Sequence, residues 1–244
     1  MERTGYIVLF TLAMTVSVAL VLSFLFYGTK DQVAINEDVF NKRAVLSAIN
    51  SHLGTQVDDM SDEEVLGIFD KQIEQVVLDM EGDVLDGVKA EKVDMAKEKK
   101  KPETDRQLPL YVYNTDDGNK FYILSVRGNG LWDEIWGYIA LEQDLSTVVG
   151  ASFDHKGETP GLGAEIKDNP VFARQFKGTK IFDADGNYTS INVRKGGAKD
   201  RTHEVDGISG ATVTADGVGE MLYRGIKYYQ PYFNKIKSPS KIRG

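Results

Sequence analysis

The sequence predicts an α+β protein in which one N-terminal transmembrane helix precedes a domain with a mostly antiparallel sheet and flanking helices. Three observations carry that prediction: an uncharged run from Tyr6 to Tyr27, strand-like alternation after Pro109, and helical spacing again from Val218 to Tyr229. A chain of 244 residues with 41% hydrophobic content is long enough for one good-sized core or two small ones. Acidic residues outnumber basic ones 37 to 29, and the net charge of -8 argues against a nucleic-acid surface. There are no cysteines, so disulfides, thiolate metal sites and iron–sulfur clusters bound by this chain's own thiolates are excluded.

The run from Tyr6 to Tyr27 would reach about 33 Å as a helix, enough for a bilayer core of about 30 Å. Tyrosines at both edges suit the interfacial belts. A cleaved signal peptide would end in a small-x-small site, which Ser23-Phe24-Leu25-Phe26-Tyr27 lacks. Residues 1–29 therefore read as a membrane anchor with its span at about 6–27. Only Arg3 precedes the span, whereas Lys30, Lys42 and Arg43 follow it, so the positive-inside count leans toward a cytoplasmic domain. The tail is short, however, and large domains translocate with little regard to charge.

Residues 30–106 read as a helical and charged segment. Val39, Phe40, Ala44, Val45, Ala48 and Ile49 mark one helix; Val65, Ile68, Phe69, Ile73, Val76, Val77 and Met80 mark a second, preceded by a capping box at Ser61 and Glu64. The dense run of mixed charge from Glu91 to Arg106 reads as a solvated helix end and loop. Residues 107–244 form the remaining domain. Leu110–Tyr113 and Phe121–Val126 flank a turn at Asp116-Asp117-Gly118-Asn119, and Ile135–Leu141 and Thr147–Phe153 continue the sheet. Lys180–Phe182 and Tyr188–Val193 look like another pair, turned at Asp185-Gly186-Asn187.

Between strands lie Gly128-Asn129-Gly130-Leu131-Trp132-Asp133 and His155-Lys156-Gly157-Glu158-Thr159-Pro160-Gly161-Leu162-Gly163-Ala164. Glycines let backbone approach a flat ring closely, and Leu and Trp supply apolar faces for it. The same residues would equally serve two ordinary loops with a core Trp. His155 and Glu158 have metal-ligating side chains but lack a third ligand nearby. Near the C-terminal end, Asp206-Gly207-Ile208-Ser209-Gly210-Ala211-Thr212-Val213-Thr214 puts small residues before Val218, Met221, Leu222, Ile226 and Tyr229. Their spacing predicts an amphipathic helix starting near Thr214 or Asp216, with Thr214 as N-cap. Its unpaired N–H groups would hold a phosphate beside Ser209 to Thr214 without a lysine. Phosphate-loop, nucleophile-elbow and dinucleotide fingerprints all fail on spacing here.

The run from Asp206 to Thr212 resembles the flavinylation motif Asp-x-x-Ser/Thr-Gly-Ala-Thr of membrane-anchored FMN-binding domains, with no departure. Glu158-Thr159-Pro160-Gly161-Leu162-Gly163 matches a second motif of that family. With the single span, the Gly130-Leu131-Trp132 loop and Trp136-Gly137-Tyr138-Ile139-Ala140-Leu141 in the same order, the chain resembles the C subunits of sodium-translocating NADH:quinone oxidoreductases. The G subunits of Rnf-type complexes share the span, the Glu-Thr-Pro-Gly-Leu-Gly loop and the threonine. The Gly-Leu-Trp and Trp-Gly-Tyr-Ile-Ala-Leu segments favour the former.

The resemblance implies FMN joined by its phosphate to the Thr212 hydroxyl, beside Ser209, Gly210 and Ala211, through a Mg²⁺-dependent flavin transferase that reads Asp206, Ser209 and Gly210. Leu131, Trp132, Glu158, Thr159, Leu162 and Gly163 would line the ring site, with no catalytic side chain and no metal. It implies that residues 107–244 are the FMN-binding domain, placed on the periplasmic face of a bacterial inner membrane. The expected partners are an FMN-bearing B subunit and iron–sulfur-bearing D and E membrane subunits, in a complex that oxidises NADH, reduces ubiquinone and exports sodium. No NADH or quinone site is assigned to this chain. A membrane-anchored flavin-binding sensor is the alternative of another class, but such regulators usually carry further spans and cysteine clusters.

Overall fold

The computed structural model describes residues 2–115 and 117–237; Asp116 of the expected turn and residues 238–244 of the expected C-terminal domain lie outside the described residues. The chain divides into two compact units, Met1–Asn41 and a larger one from Lys42 onward. The first is helix α1 (Glu2–Ser47) up to the boundary. Among the described residues α1 is the one helix long and apolar enough to cross a membrane, by length and composition. The separate helix expected around Val39–Ile49 is the end of this same α1, because neither proline nor glycine interrupts the chain between Thr29 and Ser47.

In the larger unit, α2 (Asp62–Gln72) starts at the expected capping box: Glu64 N–H donates to Ser61 Oγ at 3.3 Å, and Ser61 N–H to Glu64 Oε2 at 2.8 Å. The expected helix does not continue to Met80. It stops at Gln72, and the chain turns extended into β1 (Ile73–Leu78). Ile73, Val76 and Val77 fit both a three-four spacing and a strand, and pairing with the next strand decides between them.

The charged stretch folds as a 3-10 turn at Ala90–Lys92, a short helix α3 (Met95–Glu98) and a second turn at Glu103–Asp105. It is less solvated than its charge suggests. Glu98 is buried and accepts from Gln107 N–H at 3.0 Å and Lys101 Nζ at 2.9 Å, while Arg106 donates to the carbonyls of Lys99 and Lys101.

Strands β2 (Leu108–Asn114), β3 (Lys120–Asn129), β4 (Glu134–Leu141) and β5 (Val148–His155) join β1 in an antiparallel sheet of order β1-β2-β3-β4-β5. Short helices α4 (Glu165–Asp168) and α5 (Pro170–Arg174) follow. The expected hairpin of Lys180–Phe182 and Tyr188–Val193 is reduced to one bridge, Phe182 to Tyr188, while Lys180 bridges instead to Thr147 before β5. Ser190, at φ 58, turns the chain out of the extended conformation before it can pair further. Beyond it, β6 (Asn192–Arg194) pairs in parallel with β7 (Glu204–Asp206), a strand too short for alternation to mark. Helices α6 (Thr212–Lys227) and α7 (Gln230–Lys237) complete the described chain.

One face of the sheet, with Leu110, Val112, Leu124, Val126 and Ile139, packs against Val218, Met221, Leu222 and Ile226 of α6. Burying each such side chain is worth about 1.5–3 kcal/mol, and this contact rather than intrinsic propensity holds α6. Tyr229, fully buried beyond its end, donates to the carbonyls of Pro109 (2.8 Å) and Ser125 (3.0 Å). The opposite face carries Tyr111 and Tyr138. Phe69 of α2 meets Tyr111 edge-on at 5.8 Å, and Ser152 Oγ donates to the Ala44 carbonyl at 2.8 Å.

Candidate functional site

Three segments converge at one end of α6: the β3–β4 loop, the loop after β5, and the turn from Gly207 to Ala211. The close approach of α6 to β3 sets their spacing. A Cβ on Gly217 would overlap the Asn129 carbonyl oxygen, and one on Gly128 would lie 2.7 Å from Met221 Cβ. The helix start is thereby held against the root of the β3–β4 loop. Lys99 reaches the same root from the charged stretch, with Nζ 2.5 Å from Asn129 Oδ1 and 3.4 Å from the Gly128 carbonyl. The loop closes on itself through Gly130 N–H to the Asp133 carbonyl at 2.8 Å. In the loop after β5, Leu162 and Ala164 N–H both donate to the Thr159 carbonyl at 3.1 Å.

Glu158 ties the segments together. Its Oε1 accepts from Trp132 N–H at 2.9 Å and its Oε2 from Thr214 Oγ1 at 2.6 Å, while its own N–H donates to His155 Nδ1 at 3.2 Å. The residue is 5% exposed. Burial pushes the carboxyl upward, but the Thr214 hydroxyl and the N–H groups of Trp132, Asp133 and Leu131 outweigh it and hold the group below the usual carboxylate range. Glu158 is thus a buried anion satisfied within the protein.

Thr212 is the first residue of α6 and is partly exposed. The N-cap is Ala211, which has no side chain to cap the helix, so no capping side chain satisfies the first-turn N–H groups. The expected cap, Thr214, lies inside the first turn instead and is 1% exposed, because its hydroxyl is drawn to Glu158 rather than to backbone. Around Thr212 the large apolar side chains are open to solvent: Trp132 is 69% exposed, Val213 54%, Leu131 52% and Leu162 42%. Trp132 is therefore no core residue. Leu162 meets the motif at Gly210, whose Cβ would lie 2.8 Å from Leu162 Cδ2.

The structure thus brings the two loops to one side of the helix start, with Leu131, Trp132, Thr159, Leu162, Ser209, Gly210 and Thr212 accessible there. Glu158, Gly163 and Ala211 are buried beneath. A side chain at Gly163 would collide with Glu158 and with Thr214 Oγ1, at 2.7 Å, so this turn has no room for one. Asp206 stands off from the opening: its Oδ1 accepts from Ala198 N–H at 2.7 Å and its Oδ2 from Arg201 Nη2 at 2.8 Å, which fastens the loop before β7. Sequence reasoning missed Thr214 as the partner of Glu158 and Lys99 as a prop for the loop root. The first looked like a cap and the second like one of many solvated lysines. An uncapped helix N-terminus, a free hydroxyl on it and exposed Leu and Trp side chains fit a phosphate attached to a flat ring.

A family model described as FMN-binding domain matches residues 130–227, from the Trp132 loop to the last turn of α6. The C subunit of the Na(+)-translocating NADH-quinone reductase of Vibrio vulnificus is 32% identical over 251 residues, covering 93% of this chain and 94% of that one. The chain belongs to this C-subunit family. The Pseudomonas aeruginosa C subunit is 36% identical over 185 residues, 67% of this chain and 70% of its own length. For the Neisseria meningitidis C subunit, 42% identical over 132 residues, the match takes in 53% of this chain and spans only half, 50%, of that relative. The fold agrees with solved members of the C-subunit family. A crystal structure of the Parabacteroides distasonis C subunit is similar at a TM-score of 0.73 and 36% identity, covering 83% of this chain and 96% of that one. That of Shewanella oneidensis NqrC gives 0.71 and 26%, covering 83% and 99%.

Proposed function

We propose that this chain carries FMN as a phosphoester on Thr212 and relays electrons within a membrane complex that oxidises NADH, reduces ubiquinone and exports sodium. The observation that carries the attachment point is the contrast between the two threonines of the first turn of α6. Thr214 is buried and its hydroxyl is spent on Glu158, whereas Thr212 stands partly exposed at an uncapped helix start. The motif residues Ser209 and Gly210 beside it are exposed, within reach of a flavin transferase.

FMN supplies one- and two-electron chemistry when bound. The chain's own residues supply placement. The helix N-terminus favours the phosphate charge, Trp132 and Leu162 offer apolar faces to the ring, and Leu131 and Val213 exclude water at its edge. The covalent bond keeps the cofactor on a domain we place outside the cytoplasm, where free FMN is scarce. The partners on this reading are the FMN-bearing B subunit and the iron–sulfur-bearing D and E subunits, with α1 anchoring the chain in the inner membrane beside them. The C-subunit names of its relatives and the FMN-binding domain match support this assignment.

The test is Thr212→Ala. It should abolish the in-gel flavin fluorescence of the denatured protein, and flavin that survives the change would remove Thr212 as the attachment point.

A further inference from the structure

We propose that Glu158 is the positioning residue of the flavin site: without touching the flavin, its carboxylate locks the Leu131–Asp133 loop to the first turn of α6 and so sets where Trp132 stands relative to Thr212. The proposal rests on the reading of Thr212 as attachment point and Trp132 as a ring contact.

Other contacts fix the loop at its root and its far end, where Lys99 reaches Asn129 and Lys156 pairs with Asp133 at 3.1 Å, but neither holds its tip to α6. Leu131 and Trp132 expose their side chains, so packing does not orient them, and the Gly130 to Asp133 hydrogen bond closes the turn without tying it to α6. Glu158 does tie it, through Trp132 N–H on one oxygen and Thr214 Oγ1 on the other. Both bonds go to an ionised acceptor, the stronger class of protein hydrogen bond. The surroundings keep the carboxylate for this use. Gly130 faces Oε1 and Gly163 faces Oε2 so closely that neither position has room for a Cβ. Space that a methyl group cannot enter is closed to a flavin ring from those two sides. A carboxylate that bound the cofactor directly would need an oxygen open to it, whereas Glu158 is buried, with Trp132 N–H on one oxygen and Thr214 Oγ1 on the other.

The lock and the attachment point separate experimentally, on the full chain carrying flavin attached by its transferase. Denatured-gel fluorescence reads attachment, and native flavin emission reads stacking on Trp132, which quenches it. Trp132→Phe should raise native emission severalfold; no rise would overturn the ring contact, not the lock. Thr214→Val and Glu158→Ala should keep the gel band yet raise native emission as Trp132→Phe does, with no further rise when either is combined with it. Thr214→Ser, which restores the hydroxyl, should return emission to the wild-type level. Amide exchange adds a readout free of the flavin, since Trp132 N–H should lose protection in Thr214→Val. Unchanged emission and unchanged Trp132 protection in Thr214→Val would overturn the lock even if Glu158→Ala failed to fold. Loss of the gel band in Glu158→Ala alone, with Thr214→Val normal throughout, would also overturn it by giving the carboxylate a direct role in attachment.

Discussion

Leu162 Cδ2 lies 2.8 Å from the point a Cβ on Gly210 would occupy, so the Ser209–Thr212 turn and the Glu-Thr-Pro-Gly-Leu-Gly loop meet at Gly210. Gly210 also sits at φ 78, a left-handed conformation that costs other residues about 1–2 kcal/mol. Gly210→Ala should therefore combine backbone strain with displacement of Leu162. We expect unfolding to become easier by about 1–2 kcal/mol in urea titration, the cost of the left-handed backbone, because the exposed tip of Leu162 can move aside. The gel band should weaken as well. Wild-type stability together with wild-type flavin content would show that the contact does not matter.

Thr214→Ala separates a structural threonine from the proposed attachment point two residues away. Removing the hydroxyl leaves a buried carboxylate short of one donor at 2.6 Å, and such a loss costs about 1.5–3 kcal/mol. The midpoint of urea unfolding should fall accordingly while flavin stays bound to Thr212. Mass spectrometry of the flavinylated peptide would locate the flavin in the same samples. A stability equal to wild type would contradict the burial of this pair.

How much of this was legible beforehand depends on the residue. The antiparallel strands after Pro109 could be read because alternation and turn residues mark them, and the sheet observed from β2 to β5 extends those segments by a few residues at most. The switch from α2 to β1 was not legible, because Ile73, Val76 and Val77 satisfy both periods and only their register against Tyr113, Leu110 and Pro109 selects the strand. At the site, the glycines and apolar residues of the two loops were visible as candidates. Their convergence was not, because it depends on one carboxylate, Glu158, finding Thr214 56 positions downstream. Thr214 itself misled for a physical reason: a threonine before a helical run is a good cap only where the helix starts just after it, and α6 starts at Thr212, leaving the Thr214 hydroxyl to donate to Glu158.

Gly217→Ala tests how tightly the helix must approach the loop root. Its Cβ would overlap the Asn129 carbonyl oxygen, which is backbone and has little room to move. Alanine raises helix propensity by about 1 kcal/mol over glycine, so a purely local view predicts stabilisation. Collision should win, lowering stability by about 1–3 kcal/mol. A rise in the thermal midpoint would show that α6 stands further from β3 than this contact requires.

Acid should loosen the domain at two places, the Trp132 loop and the loop before β7. Glu158 is held below its ordinary value of 4.5 despite its burial, by Thr214 and the loop N–H groups. Glu204 is brought down to about 2 by the N–H groups of Lys199 and Asp200 and by Arg194. Groups with depressed values stabilise the fold above the unfolded pKa, and that contribution is lost as pH falls through the folded one. The amide resonances of Trp132 and Lys199 should therefore hold steady from neutrality to about pH 4.5; below it that of Lys199 should shift toward about pH 2, and that of Trp132 should follow as Glu158 takes up its proton. A transition of either amide centred above pH 5 would assign it to a different group.

The topology prediction sets a weak charge rule against a functional requirement. Arg3 stands before the apolar stretch of α1, with Lys30, Lys42 and Arg43 after it, which taken literally would keep the following domain in the cytoplasm. That bias acts through charges flanking short segments, whereas a large folded domain translocates largely regardless of its charge. On the proposed function, electron relay to a flavin on the outer face and attachment by a transferase working there both require Thr212 to be outside. Among the described residues no second helix is long and apolar enough to bring the domain back across the membrane. Alkaline phosphatase fused to the C-terminal end of the chain should therefore be active, and a fluorescent protein that matures only in the cytoplasm should stay dark. The reverse pattern would remove the relay role together with the orientation, because Thr212 would then be separated from its partners by the bilayer.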